Sequence, residues 1–365
     1  VCARCLSRQS KQARRHQSTN PIPSSSPPPP PPPPSSGAAR LTTRRLISVH
    51  GADTPKFLQG IITNNVRSGS SSGFYAAFLT AQGKVLHDTF VYPTVGSAWH
   101  SQQLGNAPED PGFLVEVDSE QAEALFKHLK RHKLRSKFQL RLLDEDELHV
   151  WSLWKEEERW TAHGGQQDSA SRGLLGLTDA RAPGMGQRVL VPHGRTSEVL
   201  QDVEEASLEA YTIRRYLRGV PEGQKEMPRD EVLPMNCNVD IMGGIDFKKG
   251  CYLGQELTIR THHTGVVRRR ILPIALYERG GAEAVPASLE YDASLLPIGS
   301  TNMAGLDIKK DDSRKRSTGK IIASVGNVGL GMCRLEQMTD LKVTSEPSPF
   351  SPEDRFLAQT ISGDE

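Results

Sequence analysis

The sequence has 365 residues and a formal net charge of +2, but the charge is unevenly distributed. Residues 1–50 hold eight basic and no acidic side chains, which leaves 37 basic against 43 acidic side chains, or a charge of −6, in residues 51–365. An acidic body excludes a wholly basic nucleic-acid-binding protein. No apolar run approaches the roughly 18 residues of a transmembrane helix, and five cysteines are too few for a disulfide scaffold.

Residues 1–40 are predicted to form a tail outside the folded protein. Residues 1–20 are rich in Arg, Ser and Gln and contain no acid, which is typical of a mitochondrial transit peptide. A basic, disordered terminus without a targeting role would have the same composition. Residues 21–36 include ten prolines, which favour an extended polyproline II linker.

Residues 41–270 show the patterns of mixed α+β structure. Amphipathic spacing with capping residues predicts the helices, and alternation of apolar and polar residues predicts the strands. In chain order the predicted elements are a helix from Thr54, strands at Phe74–Leu79 and Val85–Tyr92, a loop at 101–112, a helix capped by Asp118 or Ser119, strands at 138–142 and His149–Leu153, a flexible break at 163–173, and a helix from Ser207 that ends near Gly219.

Residues 271–345 are predicted to form a small all-β domain. Short strands are expected at Ile271–Leu276, Lys320–Ser324 and Val328–Leu335, separated by polar insertions such as Lys309–Arg316. Residues 346–365 are acidic and contain Pro and Ser, a composition that predicts a disordered tail.

The segment Gly243–Glu256 has an unusual density of glycine and charge, with the sequence G-G-I-D-F-K-K-G-C-Y-L-G-Q-E. Lys248 and Lys249 precede Cys251, and positive charge beside a cysteine favours its reactive thiolate form. Residues 248–270 contain six basic side chains and one acidic side chain, a local charge of +5 that suits an anion or an acidic partner. Two alternatives stay open: Cys251 as a small buried residue, and Arg268–Arg270 as a solvated strand end.

Metal-binding patterns are scarce. His262 and His263 look like a metal pair, but neighbours on a strand point to opposite faces, so one is expected in the core and one at the surface. Only Cys237, Cys251 and Cys333 follow the tail, whereas a protein-bound iron–sulfur cluster usually takes four cysteine thiolates. A cluster on this chain would therefore need ligands from a partner or a small thiol. No Cys/His spacing fits a structural zinc site.

The segment Gly243–Glu256 closely resembles the K-G-C-[YF]-x-G-Q-E signature of the YgfZ-type iron–sulfur cluster assembly factors. These are related to the glycine-cleavage T-protein, a folate-dependent aminomethyltransferase. Weaker similarities extend over most of the folded chain. They are Phe57-Leu58-Gln59-Gly60 with Thr63, Phe78–Lys84 with Asp88, Asp179-Ala180-Arg181 with Pro183-Gly184, Arg215 with Gly219 and Pro221-Glu222-Gly223, Leu233-Pro234, and more loosely Gly319-Lys320 and Gly329–Gly331.

The resemblance implies an α+β fold: a T-protein-like ring of two intertwined α+β domains with antiparallel sheets in residues 41–270, plus a C-terminal β-barrel at 271–345. It implies a mitochondrial matrix protein that assists the maturation of [4Fe–4S] proteins as an assembly factor rather than as an enzyme. Cys251 would be the thiolate ligand of a bridging [2Fe–2S] cluster shared with an A-type scaffold protein. The free chain is expected to be a monomer with no nucleic-acid partner and no membrane span.

One alternative is a tetrahydrofolate-dependent aminomethyl, or one-carbon, transferase, because relatives bind tetrahydrofolate in the central cavity. Two departures argue against it: Asn236 stands where T-proteins carry an acidic residue that meets the pterin, and His87-Asp88 replaces a pair of aspartates. A neutral amide cannot supply the charge of a carboxylate. A further alternative is a redox or scaffold role of the thiol without metal. The candidate cofactor-binding residues are Asp88, Arg215, Asn236, Lys249 and Gln255.

Overall fold

The structure, a computed structural model, describes residues 28–66, 72–104, 110–158, 173–201, 203–277, 288–295, 303–311, 317–343 and 348–358. The predicted transit peptide at 1–20 and residues 163–172 of the predicted flexible break lie outside these ranges. Within them, no helix is long and apolar enough to cross a membrane.

The described ranges contain six α-helices and three short 3₁₀-helices. The α-helices are α1 (Thr54–Ile61), α2 (Ala98–Leu104), α3 (Ala122–His132), α4 (Leu208–Leu217), α5 (Gln255–Thr264) and α6 (Leu335–Met338). The 3₁₀-helices are Ser119–Gln121, Glu156–Glu158 and Thr196–Glu198.

The same ranges form three five-stranded sheets. The strands are β1 (Ser36–Arg40), β2 (Arg44–His50), β3 (Phe74–Leu79), β4 (Val85–Pro93), β5 (Gly112–Asp118), β6 (Gln139–Leu142), β7 (Leu148–Lys155), β8 (Leu175–Thr178), β9 (Gln187–Pro192), β10 (Glu204–Ala206), β11 (Arg269–Ala275), β12 (Asp307–Lys310), β13 (Gly319–Val325), β14 (Val328–Arg334) and β15 (Phe356–Ala358). Sheet 1 has the order β10-β1-β7-β9-β8, sheet 2 the order β3-β4-β5-β2-β6, and sheet 3 the order β11-β14-β13-β12-β15. All strand pairs are antiparallel except β1 with β10.

The first two sheets are intertwined along the chain, so the predicted α+β fold with antiparallel sheets is confirmed. Strand β1 precedes all of sheet 2 in the sequence but lies inside sheet 1, between β7 and β10. Both faces of β1 are covered, because Ala38 and Ala39 are fully buried in different apolar clusters. The predicted end of the tail at residue 40 is therefore wrong, since the folded body includes Ser36–Arg40. The sequence S-G-A-A-R resembles a linker only because its buried side chains are small.

Most predicted helices and strands of sheets 1 and 2 are confirmed. Ser207 caps α4, and its Oγ accepts a hydrogen bond from the Ala210 amide at 3.2 Å. Asp118 caps the turn that leads into α3 and accepts from the Glu120 amide at 2.9 Å. The predicted loop at 101–112 is partly wrong, because α2 extends to Leu104 and β5 begins at Gly112.

Sheet 3 confirms the three predicted C-terminal strands and adds β12 and β15. These two strands pair through Ile308 and Ala358. Strand β15 lies inside the tail predicted to be disordered from residue 346, so that prediction is wrong for Phe356–Ala358. The sheet is open: in the described residues its edge strands, β11 and β15, do not pair with each other, so the predicted barrel is not closed.

A buried ion network joins sheet 1 to sheet 2. Strands of sheet 2 supply two carboxylates and one arginine, and sheet 1 with its β8–β9 turn and the segment after α4 supplies the rest. Each member is at most 7% exposed. This inter-sheet network consists of Arg44, Asp88, Glu116, Asp179, Arg181, Arg188 and Glu222.

Arg188 of β9 is the member with the most cross-sheet contacts. Its guanidinium donates two hydrogen bonds to Glu116 of β5, at 2.5 and 3.1 Å, and one to Glu222 at 3.0 Å. It also donates to the hydroxyl of Tyr211 on α4 at 2.7 Å. Two carboxylates and a phenol from other elements thus depend on one cation.

The network holds three guanidinium groups and four carboxyl groups, so full ionisation would leave one buried negative charge in excess. Burial opposes ionisation of Glu116, Asp179 and Glu222, but their arginine partners hold the pKa of each below its usual range. Burial instead raises the pKa of Asp88, although Arg44 opposes the rise. Asp88 is therefore the carboxyl that most readily accepts a proton.

Replacing Arg188 by Met should lower the free energy of unfolding by about 3–5 kcal/mol, because Glu116 and Glu222 would remain buried without their partner. Urea denaturation followed by circular dichroism measures the change.

The matched control is Arg195→Met, three residues beyond the end of β9. Arg195 pairs with Glu198 at 2.6 Å, and the two side chains are 40% and 33% exposed, so the loss of this pair should lower the free energy of unfolding by about 1 kcal/mol or less. Equal costs for the two variants would contradict a dominant role of the inter-sheet network.

Candidate functional site

Residues Gly243–Gly254, here called the cysteine loop, present the one exposed thiol among the described residues. Cys251 is exposed, whereas Cys237 and Cys333 are completely buried. Burial raises the pKa of Cys237 and that of Cys333 to about 12, which keeps both as neutral thiols. Of the three cysteines that the structure describes, Cys251 alone is therefore accessible to a metal or another protein, and the alternative of a buried Cys251 is wrong.

Hydrogen bonds to and from the backbone attach the cysteine loop to the end of α1. Thr63 donates from Oγ1 to the carbonyl of Gly244 at 2.6 Å and accepts at its own carbonyl from the Asp246 amide at 3.1 Å. Further along, the Leu253 amide donates to the carbonyl of Gly60 at 3.0 Å. The motif at Phe57–Thr63 and the motif around Cys251 thus form one local structure.

Lys249 fixes the middle of the cysteine loop from inside. Its ammonium donates to the carbonyls of Gln59, Ile62 and Asn64 at 2.8, 2.7 and 2.8 Å, and it lies 4.9 Å from the centroid of the Tyr252 ring. Burial lowers the pKa of Lys249 to about 8. A cation at the C-terminal end of α1 also complements the helix dipole. The side chain is engaged with the protein backbone rather than presented to a ligand.

Gly254 ends the cysteine loop where no larger residue fits. Its φ is +80°, and a Cβ atom there would lie 2.2 Å from the carbonyl oxygen of Thr80 in the β3–β4 turn. Gln255 then begins α5, and its Oε1 accepts from the Tyr252 amide at 3.1 Å. Gln255 thus stabilises the turn after Cys251, which is a structural role.

The predicted basic region is only partly exposed. Arg270 donates to Asp240 at 2.8 Å through two nitrogens and to the carbonyl of Met235, so it is paired within the fold. Lys249 is turned inward as described. The exposed basic side chains of residues 248–270 are Lys248, Arg260, Arg268 and Arg269.

His262 and His263 lie on α5, not on a strand, and both are exposed. The prediction of one core-facing and one surface-facing imidazole is therefore wrong. The ring of His262 stacks on Phe247 of the cysteine loop with 3.7 Å between centroids. This contact packs α5 against the loop.

The other candidate cofactor-binding residues belong to a second, buried group. Asp88 is a member of the inter-sheet network and also accepts from the Gly223 amide at 3.2 Å. Arg215 donates to both carboxylate oxygens of Glu226, at 2.7 and 2.9 Å. Asn236 is half-buried, and its backbone carbonyl accepts from the Ile271 amide at 3.0 Å. The Asp88 and Arg215 side chains thus pair with residues of the interior, and the Asn236 contact is made by its backbone.

Sequence reasoning missed Arg44, Glu116, Arg188 and Glu226 altogether. Glu116 and Arg188 stand inside apolar strand sequences, L-V-E-V and Q-R-V-L-V, at inward-facing positions. An ionisable residue on the apolar face of a strand needs a buried partner. That rule could have indicated the network, but not which residues pair.

The fold and the C-terminal domain of this chain are similar to those of known proteins. The fold is similar to the crystal structure of the glycine cleavage system aminomethyltransferase T from Bartonella henselae, with a TM-score of 0.57, 14% identity, and coverage of 84% of this chain and 80% of that chain. At that identity the likeness shows a shared fold. Residues 268–354 match the family model described as the CAF17 C-terminal β-barrel domain.

Similar sequences over most of the chain include proteins named iron–sulfur cluster assembly factor IBA57 homolog, mitochondrial. The protein from Aspergillus clavatus is 45% identical over 398 residues, covering 100% of this chain and 84% of the relative. Those from Coccidioides immitis and Neurospora crassa are 46% and 41% identical, covering 87% and 100% of this chain and 76% and 83% of the relatives. The chain belongs to the mitochondrial IBA57 family of iron–sulfur cluster assembly factors.

Replacing Lys249 by Met should lower the free energy of unfolding by about 2–3 kcal/mol, because three carbonyls near the end of α1 lose a charged donor. Urea denaturation measures the loss. The neighbouring exposed Lys248 provides the control, since Lys248→Met should change stability by less than about 0.5 kcal/mol. An unchanged free energy of unfolding in Lys249→Met would contradict the anchoring role.

Proposed function

We propose that this protein acts in the mitochondrial matrix as an assembly factor for [4Fe–4S] proteins, with Cys251 as its cluster ligand. The observation that carries the proposal is the exposure of Cys251 on a loop fixed at several points, while Cys237 and Cys333 are buried. Family membership supports the general role, because the relatives are named mitochondrial iron–sulfur cluster assembly factors.

A single exposed cysteine among the described residues fits a cluster shared between two proteins. The described residues offer no second exposed cysteine beside Cys251, whereas a cluster usually takes four thiolates. The remaining ligands would come from an A-type scaffold protein, which would share a bridging [2Fe–2S] cluster with Cys251. The cluster is here the cargo, and the free chain would be a monomer that pairs with the scaffold.

The exposed cations next to the cysteine loop suit the approach of an acidic partner. Lys248 precedes Cys251 by three positions, and Arg260 lies on the helix that follows it. Complementary charge mainly increases the rate of encounter and orients the partner. Lys249 and Arg270 are excluded from this role because both are engaged inside the fold.

Replacing Cys251 by Ala should abolish the rescue of [4Fe–4S] enzyme activities in cells that lack the protein. The cause would be loss of the cluster ligand, since an exposed side chain contributes little to stability. The measurements are the activities of several mitochondrial [4Fe–4S] enzymes together with the level of the variant protein.

Cys237→Ala is the matched control, because it removes a thiol that the interior encloses. This variant should restore the enzyme activities. Full rescue by Cys251→Ala at normal protein levels would remove the basis of the proposal.

The ion pairs in the interior of the protein argue against the aminomethyltransferase alternative. Asp88 and Arg215 already pair with Arg44 and Glu226, so a pterin that used them would have to displace buried ion pairs. Calorimetry with tetrahydrofolate should therefore detect no tight binding. Micromolar binding that is lost in Arg215→Met but kept in Lys248→Met would favour the enzyme instead.

A further inference from the structure

Two histidines and an aspartate meet at one end of sheet 1, apart from the cysteine loop. They are Asp146, in the turn before β7, His149, on β7, and His193, directly after β9. One ligand atom from each side chain, an imidazole nitrogen or a carboxylate oxygen, lies within 4.8 Å of the other two. Residues 193 and 149 are far apart in the chain, so sequence spacing gives no metal motif.

The backbone explains why these side chains converge. Strands β7 and β9 are antiparallel, and Leu148 lies opposite Pro192. The residues just before β7 and just after β9 therefore lie at the same end of the sheet. The His193 amide also donates to the carbonyl of Glu147 at 3.4 Å, which ties the two turns together.

His149 is the member of the group that most needs a partner. The residue is only 8% exposed, and its buried Nε2 atom has no hydrogen-bond partner in the described residues. A neutral imidazole nitrogen is a metal ligand.

We propose that Asp146, His149 and His193 bind a divalent first-row transition metal ion with one coordination position left open. Two imidazoles and one carboxylate suit Zn²⁺ or Fe²⁺, whereas Mg²⁺ and Ca²⁺ prefer oxygen ligands alone. Asp146 and His193 are exposed, so their side chains can turn to shorten the present separations to bonding distances around an ion near His149.

Arg40 at the end of β1 provides an independent test of this location. Its charge acts on the imidazole of His149 and would repel a bound cation. Arg40 is exposed and lies outside the ligand set. The variant Arg40→Gln should therefore bind Zn²⁺ several-fold more tightly than the unchanged protein.

The direct test is calorimetric titration of the purified, untagged protein with Zn²⁺, with Mg²⁺ as the comparison ion. We expect one site for Zn²⁺ and none for Mg²⁺, and at least about tenfold weaker Zn²⁺ binding in His193→Ala and in Asp146→Asn. Zn²⁺ should also raise the melting temperature of the unchanged protein more than that of either variant.

The matched control is His263→Ala, which removes an exposed histidine on α5 and should leave Zn²⁺ binding unchanged. Zn²⁺ affinity that is equal in His193→Ala and the unchanged protein would overturn the proposal. Loss of binding in His263→Ala would do the same and would assign the ion to α5. Because His193 and Asp146 are exposed, both variants should fold, and circular dichroism verifies this.

Discussion

The buried inter-sheet network is the constraint on which the rest of the structure depends. Its charges are enclosed between sheets 1 and 2, so each must be paired once the interface closes. The pair that joins a strand of one sheet to a strand of the other is Arg188 with Glu116. The network does not by itself add stability over an apolar interface, but it penalises any arrangement that leaves one charge unpaired. It thereby fixes how the two intertwined units meet. Arg181 also contacts a residue outside the network, since its guanidinium lies 5.5 Å from the centroid of the Tyr75 ring.

Tyr75 connects the network to the site. A Cβ atom on Gly244 would lie 2.8 Å from the Tyr75 ring, so the start of the cysteine loop packs directly on that side chain. Lys249 and the carbonyls near the end of α1 hold the middle of the loop, and Gly254 holds its end. Cys251 is thus an exposed residue on a fixed backbone. The proposed role as a ligand that meets three others from a partner would benefit from this, because little conformational freedom would be lost on binding.

The sequence sufficed for features that depend on local patterns. The helices from Thr54 and Ser207 and the strands of the β3–β4 hairpin were indicated by capping residues or alternation, and the structure confirms them. The choice of Cys251 as a cluster ligand rests on a short signature and stays a prediction. Features that depend on long-range contacts could not be predicted from the sequence. Lys249 looked like an anion-binding cation, because nothing nearby in the sequence indicates carbonyl acceptors 185 to 190 residues away. Strand β1 looked like linker, since its small side chains are buried only by the strands on either side.

We propose that Cys251, and no other thiol of the described fold, holds a cluster in common with an A-type scaffold protein. Anaerobic reconstitution of the two proteins with iron and sulfide, followed by visible absorption of the co-purified complex, tests it most directly. We expect a cluster spectrum with the unchanged protein and with Cys237→Ala, and none in the complex with Cys251→Ala. An unchanged spectrum with Cys251→Ala, or no shared cluster with the unchanged protein, would contradict it.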